Sequence, residues 1–231
     1  MVLCSLWESG ENIKIYDAHI VELFIGIDQS INSTGMTIEL YKGNNNSDTH
    51  FYIITGKQKL TSKEQKAHDT YSCFDYILYN KRDIKDAIDN HEAELFKTHN
   101  LINISKTIIS IISYYIQNSK SIENIYICME GISYQSGNTS SIIDLAGLNY
   151  IIRTDIIRFL TKKNINYNLI IAPPSEIKKF ASGNGAAKKD IMIKLFETTY
   201  PNLYLIPKID DIADSYWMKE YAKSICNHRY S

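Results

Sequence analysis

The chain has 231 residues, of which 44% are hydrophobic, 22% charged and 11% aromatic, and its formal net charge is −1. This suits one domain, or one domain with a substantial insertion and a single sizeable core, and no apolar run nears the ~20 residues of a membrane span. A near-neutral total argues against a nucleic-acid binder, but the charge is uneven: residues 151–194 hold nine basic and three acidic side chains, residues 1–30 one basic and five acidic.

In chain order, the opening MVLCSLWESGENIKIYD lacks the basic region, apolar stretch and cleavage site of a signal peptide, and residues 1–20 read as an extension. VELFIGID (21–28) is an apolar, β-branched run closing on an acid and reads as a buried strand. The QSINSTG loop returns the chain into a second strand near 36–42, GNNNSD is a turn, and HFYIIT (50–55) is a third strand, so an antiparallel meander is expected. Residues 56–100 are polar and mixed in charge and read as a partly helical insertion, leading into an Ile-rich helix near 101–117. NIYICME (124–130) is a fourth strand, again closing on an acid. Residues 139–161 carry Ile142, Leu145, Ala146, Leu148, Asn149 and Ile152 at helical spacing, a face that suits either a dimer seam or packing onto the sheet. NLIIAPP (168–174) is a fifth strand stopped by its prolines. A short helix over 175–180, an SGNG loop, a helix over 187–199 and a last helix over 209–224 follow. The expectation is one mixed α/β domain over 21–231, with an antiparallel half and a parallel half.

Three places offer carboxylates at the ends of elements. Asp28 closes the first strand, Glu130 closes the fourth, and Asp210, Asp211 and Asp214 open the last helix, where the spacing of three puts Asp211 and Asp214 on one face. Strand ends in an α/β sheet commonly form the functional edge. Carboxylates gathered there without matching cations repel and raise one another's pKa, and an oxygen-only set suits Mg²⁺ or Mn²⁺ rather than zinc. Asp210 and Asp211 also suit helix caps favoured by the dipole, and for Asp210 the cap is the preferred reading. Asp214 is more specific, because it falls in an apolar stretch where an acid needs a partner or a metal. The four cysteines (Cys4, Cys73, Cys128, Cys226) form no CxxC pair, and the six histidines form no metal-binding pair. That points to a reducing, cytoplasmic setting and away from zinc and disulfides.

Taken together, four motifs resemble the RuvC-like Holliday junction resolvases, and the phage-borne branch in particular. GIDQSINSTG is similar to the family's opening, with Thr34 and Gly35 six and seven residues after Asp28. CMEGISY is similar to the second acidic motif, PPSEIKKFASGNGAAKK to the basic segment, and DDIADSYWM to the closing Asp-x-x-Asp helix. The motifs occur in the family's order over about 21–55 and 100–224. The longer 56–100 connection departs from the family, as does Ser133, with Tyr134 beside it, where an aromatic is usual.

The resemblance implies an RNase H-like fold, a five-stranded mixed sheet with strands 1–3 antiparallel and 4–5 parallel, flanked by helices. It implies a homodimer that nicks four-way DNA junctions symmetrically, with two Mg²⁺ per active site for which Mn²⁺ substitutes. Asp28, Glu130, Asp211 and Asp214 match the metal-binding acids, and Lys178 and Lys189 match the lysines near the scissile phosphate. Lys179, Lys188, Lys162 and Lys163 extend the basic segment as candidate DNA contacts; the bland alternative for these lysines is a solvated surface. Tyr134 reads as a residue that stacks on an unpaired base or as a core tyrosine. Two other functions compete: cleavage of other branched DNA such as forks, Y-junctions or flaps, and a non-catalytic DNA-binding scaffold. The intact four-acid set speaks against the scaffold.

Overall fold

Residue parity along the first strand sets the layout. In β1 (Val21–Asp28), Leu23, Ile25 and Ile27 are fully buried in one apolar cluster, while Phe24 packs in another. Successive strand side chains point to opposite faces, so Glu22, Phe24, Gly26 and Asp28 share the second face. The structure is a computed structural model that describes residues 21–43, 46–119, 122–132 and 139–229. The expected 1–20 extension and Tyr134 lie outside these residues.

β1 pairs antiparallel with β2 (Ser33–Tyr41), which pairs antiparallel with β3 (Ser47–Thr55). After α1 (Ser62–Thr70), β4 (Phe74–Leu78) adds to β3 in parallel. A 3₁₀ turn at Ile84–Asp86 leads into α2 (Asn90–Asn118), a 29-residue helix that returns the chain to β5 (Ile122–Glu130). β5 lies parallel to β1, and α3 (Thr139–Lys163) crosses over to β6 (Asn166–Ala172), parallel to β5. Then come α4 (Pro174–Ser182), α5 (Lys189–Thr199) and α6 (Ile209–Arg229). The strand order β4-β3-β2-β1-β5-β6 is the expected RNase H-like mixed sheet with one strand more.

The sixth strand corrects the reading of 56–100 as merely polar and partly helical. FDYIL is a five-residue strand whose Phe74 and Tyr76 are buried beside α1, and such a short run is hidden within polar flanks. The Ile-rich helix also begins eleven residues earlier than the apolar period suggests, capped by Asp89, whose side chain accepts from Glu92 N–H. Its first turns are exposed and carry no apolar stripe. The prolines after β6 do more than stop it: Pro174 is the first residue of α4, where its missing N–H costs nothing.

Two layers of helices enclose the sheet. α2 and α3 bury Ile104, Ile108, Ile112, Leu148, Ile152 and Ile156 against the odd-numbered side chains of β1 and β5. On the opposite face α6 crosses β1 and β2 closely enough that a Cβ on Gly26 would lie 1.9 Å from Ser215 O, and one on Gly35 2.2 Å from Asp211 O. Only glycine permits that approach. Polar pairs fix the register of α6 on β2: Ser33 Oγ donates to Asp211 Oδ2 at 2.6 Å, Thr37 and Ser215 hydroxyls meet at 2.8 Å, and Lys219 Nζ donates to Glu39 Oε2 at 2.7 Å. Residues 211, 215 and 219 recur every fourth position, one helical face laid along one strand face. β1, β3, β4, β5 and β6 all run the same way, so their C-terminal ends share one edge of the sheet.

Candidate active site

Asp28 and Glu130 meet at that edge for two sequence-level reasons. Ile27 is paired with Met129, so the next residues end neighbouring parallel strands, roughly 5 Å apart in the pairing direction. Tyr126 and Cys128 pack on the α6 side, so the same parity turns Glu130 toward the face that holds Asp28. Helix α6 brings Asp211 and Asp214 over both. All four are partly buried, and each carboxyl sits above its usual pKa. Burial is the main cause throughout. For Asp28, raised the most clearly, the charges of Asp214, Glu130 and Asp211 add to it and Lys189 opposes it. Asp214 likewise adds to Glu130, against Lys178 and Lys189.

Lys189, the first residue of α5, supplies the cation among these acids. Its Nζ is 2.9 Å from Asp210 Oδ2 and 3.5 Å from Asp214 Oδ2. Burial works against the ammonium, but the hydrogen bond to Asp210 and the charges of Asp214, Asp210 and Asp28 outweigh it, so its pKa is raised. The Asp210 carboxyl is lowered despite burial, by the hydrogen bond and charge of Lys189 and by backbone N–H groups in its own turn. Asp210 thus lies inside the first turn of α6 rather than at its cap, with a lysine partner that no local pattern reveals.

Among the described residues, no three His, Cys, Asp or Glu side chains are arranged as ligands of a single ion. The donor set itself fits one. Four part-buried carboxylates that raise one another's pKa, around one ammonium, form the oxygen-rich negative pocket that hard divalent cations neutralise. Closing it on an ion requires side-chain rearrangement from the state in which Lys189 holds Asp210 and Asp214.

Three supporting side chains were not singled out in the sequence for this role. Gln29 Nε2 and Asn149 Nδ2 both donate to the carbonyl of Glu130, at 2.9 and 3.0 Å, pinning the end of β5 from β1 and from α3. Asn149 is fully buried and is the polar residue that interrupts the apolar face of α3, a signal in itself. Ser33 holds Asp211 and lies inside the GIDQSINSTG motif.

The predicted lysines divide. Lys178 on α4 acts on Glu130, and Lys179 and Lys188 are exposed on the same α4–α5 connection as Lys189. That connection turns at Gly183, whose φ of 76° closes α4 with its N–H donating to Lys179 O. Trp217 Nε1 donates to Met192 O and fastens α5 to α6. Lys162 and Lys163 are not part of the cluster. They end α3, whose 25 residues start at the carboxylate edge and run ~37 Å toward the opposite one.

No protein-family model matches the chain, and neither does any curated protein. Among solved structures, the chain is similar to Thermus thermophilus RuvC in complex with a Holliday junction substrate, at 12% identity over 90% of this chain and 97% of that one, with a TM-score of 0.49. It is similar to the yeast mitochondrial Holliday junction resolvase Ydc2 at 12% identity, 93% and 85% coverage and a TM-score of 0.47. It is also similar to the human cytomegalovirus terminase nuclease domain, at 12% identity, 93% and 87% coverage and a TM-score of 0.39. Among the described residues no helix is long and apolar enough to cross a membrane.

Proposed function

We propose that the chain is a structure-specific DNA endonuclease that cuts four-way junctions by divalent-metal-dependent phosphodiester hydrolysis. One observation carries this reading. Asp28, Glu130, Asp211 and Asp214, from three separated parts of the chain, converge at one sheet edge, where their pKa values are raised and Lys189 is the cation among them. A scaffold gains nothing from so repulsive a set, which costs stability.

Asp28, Glu130, Asp211 and Asp214 would hold the metal, Asp28 being the one whose carboxyl feels the charge of all three others. Divalent ions, when bound, supply the positive charge that activates water and neutralises the departing oxygen. The chain's own residues do the rest. Ser33, Gln29 and Asn149 keep Asp211 and Glu130 in place. Lys178 and Lys189 meet the charge that develops on the phosphate, Lys189 after release from Asp210 and Asp214. Lys179 and Lys188 add phosphate contacts beside them. Symmetric cleavage of a two-fold junction requires a second active site, hence a homodimer.

The test is cleavage of labelled four-way, three-way, flap and linear DNA with Mg²⁺ and with Mn²⁺. The four-way junction should be cut fastest, at symmetric positions. Asp28→Asn should abolish cutting while binding stays intact or tightens. Undiminished cutting by Asp28→Asn overturns the site; preference for flaps or three-way DNA overturns the substrate.

A further inference from the structure

The 56–100 insertion and the helix it leads into carry a second basic surface, apart from the carboxylate cluster. Between the end of β4 and the middle of α2 lies an open groove of about 540 Å³ lined by Asn80, Arg82, His99, Asn103, Lys106 and Ser110, with no carboxylate in its lining. His99, Asn103, Lys106 and Ser110 form a polar stripe along α2, opposite the buried Leu101, Ile104, Ile108 and Ile112. Among the described residues none of Arg82, His99 and Lys106 is in a salt bridge. Asp83 and Asp89 accept from Lys85 N–H and Glu92 N–H and are not part of the groove lining.

The groove is also held rigidly. Asn100, 3% exposed, clasps Arg82 from both sides: its Oδ1 accepts from Arg82 N–H at 2.8 Å and its Nδ2 donates to Arg82 O at 2.9 Å. Asn103 Nδ2 donates to Asn80 O at 2.8 Å. The Arg82 guanidinium lies over Phe96 at 5.3 Å from the ring centroid. Tyr79 O–H donates to Ile31 O, tying the groove to the loop that follows Asp28. A buried amide devoted to one loop's backbone presets where Arg82 stands, which reduces the ordering cost of contacting a ligand.

We infer that this groove binds the phosphate backbone of a DNA arm away from the cleavage point. The inference rests on the DNA-cleaving reading above. β4 is three strands from β1, ~14 Å in the pairing direction, and the groove is on the α2 side of the sheet, ~10 Å across it from Asp28. A separation on the order of 17 Å equals about five base steps at 3.4 Å each. The groove therefore misses the scissile phosphate and meets an arm several base pairs out. A chain with two such grooves per dimer grips a junction more firmly than the carboxylate edges alone.

The test is Arg82→Ala/Lys106→Ala in the full chain, with Lys106→Glu as a second variant at an exposed mid-helix position. Four-way junction affinity is measured from ~50 to ~200 mM salt, and single-turnover cutting at saturating enzyme. The double variant should bind about tenfold more weakly, with a salt slope lower by up to two units, and Lys106→Glu, which reverses one of the two charges, should also weaken binding and lower the slope. Cutting at saturation should stay within about twofold, with melting temperature unchanged. Wild-type affinity and slope in both variants overturn the groove while leaving the endonuclease intact. A wild-type chain that binds no branched DNA overturns both.

Discussion

Asp28 is the residue where the proposed chemistry and the stability of this chain oppose each other. Its carboxyl is raised well above an ordinary aspartate, by burial first and then by Asp214, Glu130 and Asp211. A group with a folded pKa above its unfolded value of ~3.9 takes up a proton on folding, so the stability it allows is complete below that value and is lost as pH rises through the folded one. Asp28→Asn removes this loss. In metal-free chain the variant should melt a few degrees higher than wild type at pH ~8, about 1 kcal/mol for a chain of this size, with a smaller gap at pH ~5. Adding Mg²⁺ should raise the wild type and narrow the gap. Thermal melts of both proteins with and without EDTA check it, and equal melting temperatures at both pH values would remove the electrostatic account. The acids themselves were legible because two strands end on them and because Asp-x-x-Asp sits in an apolar stretch. The Lys189–Asp210 pair was not, since it joins the starts of two helices through tertiary packing.

Among the elements, α6 carries half of the carboxylates and depends on a buried charge pair for its seating. Lys219 and Glu39 are 1% and 2% exposed, and Glu39 also takes Lys223. Burial pushes the Glu39 carboxyl up, but Lys219 and Lys223 bring it below its usual value. Removing Lys219 leaves the Glu39 carboxylate in a dry site with only the part-exposed Lys223 to hold it. Lys219→Met should therefore cost ~3 kcal/mol, and Glu39→Leu/Lys219→Met should recover most of it. Chemical denaturation of wild type, single and double variants measures this; a double variant no better than the single would show that the pair does more than satisfy itself. The helix was readable from its caps and apolar residues, whereas its register on β2 was not. That register is set by Ser33–Asp211, Thr37–Ser215 and Glu39–Lys219, which join residues some 180 positions apart. β4 was missed for a different reason: five residues alternating once or twice do not make a period.

For the molecule as a whole, charge must be judged by position rather than by total. The basic surplus over residues 151–194 spreads over both ends of the sheet. Lys178, Lys179, Lys188 and Lys189 stand at the carboxylate edge; Lys162 and Lys163 are ~37 Å down α3, several Debye lengths away at physiological salt. Lys162→Ala/Lys163→Ala should leave junction affinity and salt slope within about twofold of wild type. Lys189→Ala should lower the single-turnover rate at saturation about a hundredfold with affinity roughly unchanged. Gel-shift titrations and quench-flow cleavage of the variants separate these outcomes. A comparable loss of affinity at the α3 end would mean that DNA covers the length of the molecule.

The two glycine notches under α6 bear on how any survey of substitutions in this chain should be read. With Ser215 O 1.9 Å and Asp211 O 2.2 Å from where a methyl group would stand, even alanine at position 26 or 35 lifts the helix that delivers Asp211 and Asp214. Scored by survival of activity, both positions will look as intolerant as the acids, although neither touches a substrate atom. Solubility scored in parallel would tell the two kinds of intolerance apart: an acid replaced by its amide leaves a folded, silent protein, and a filled notch leaves little protein at all.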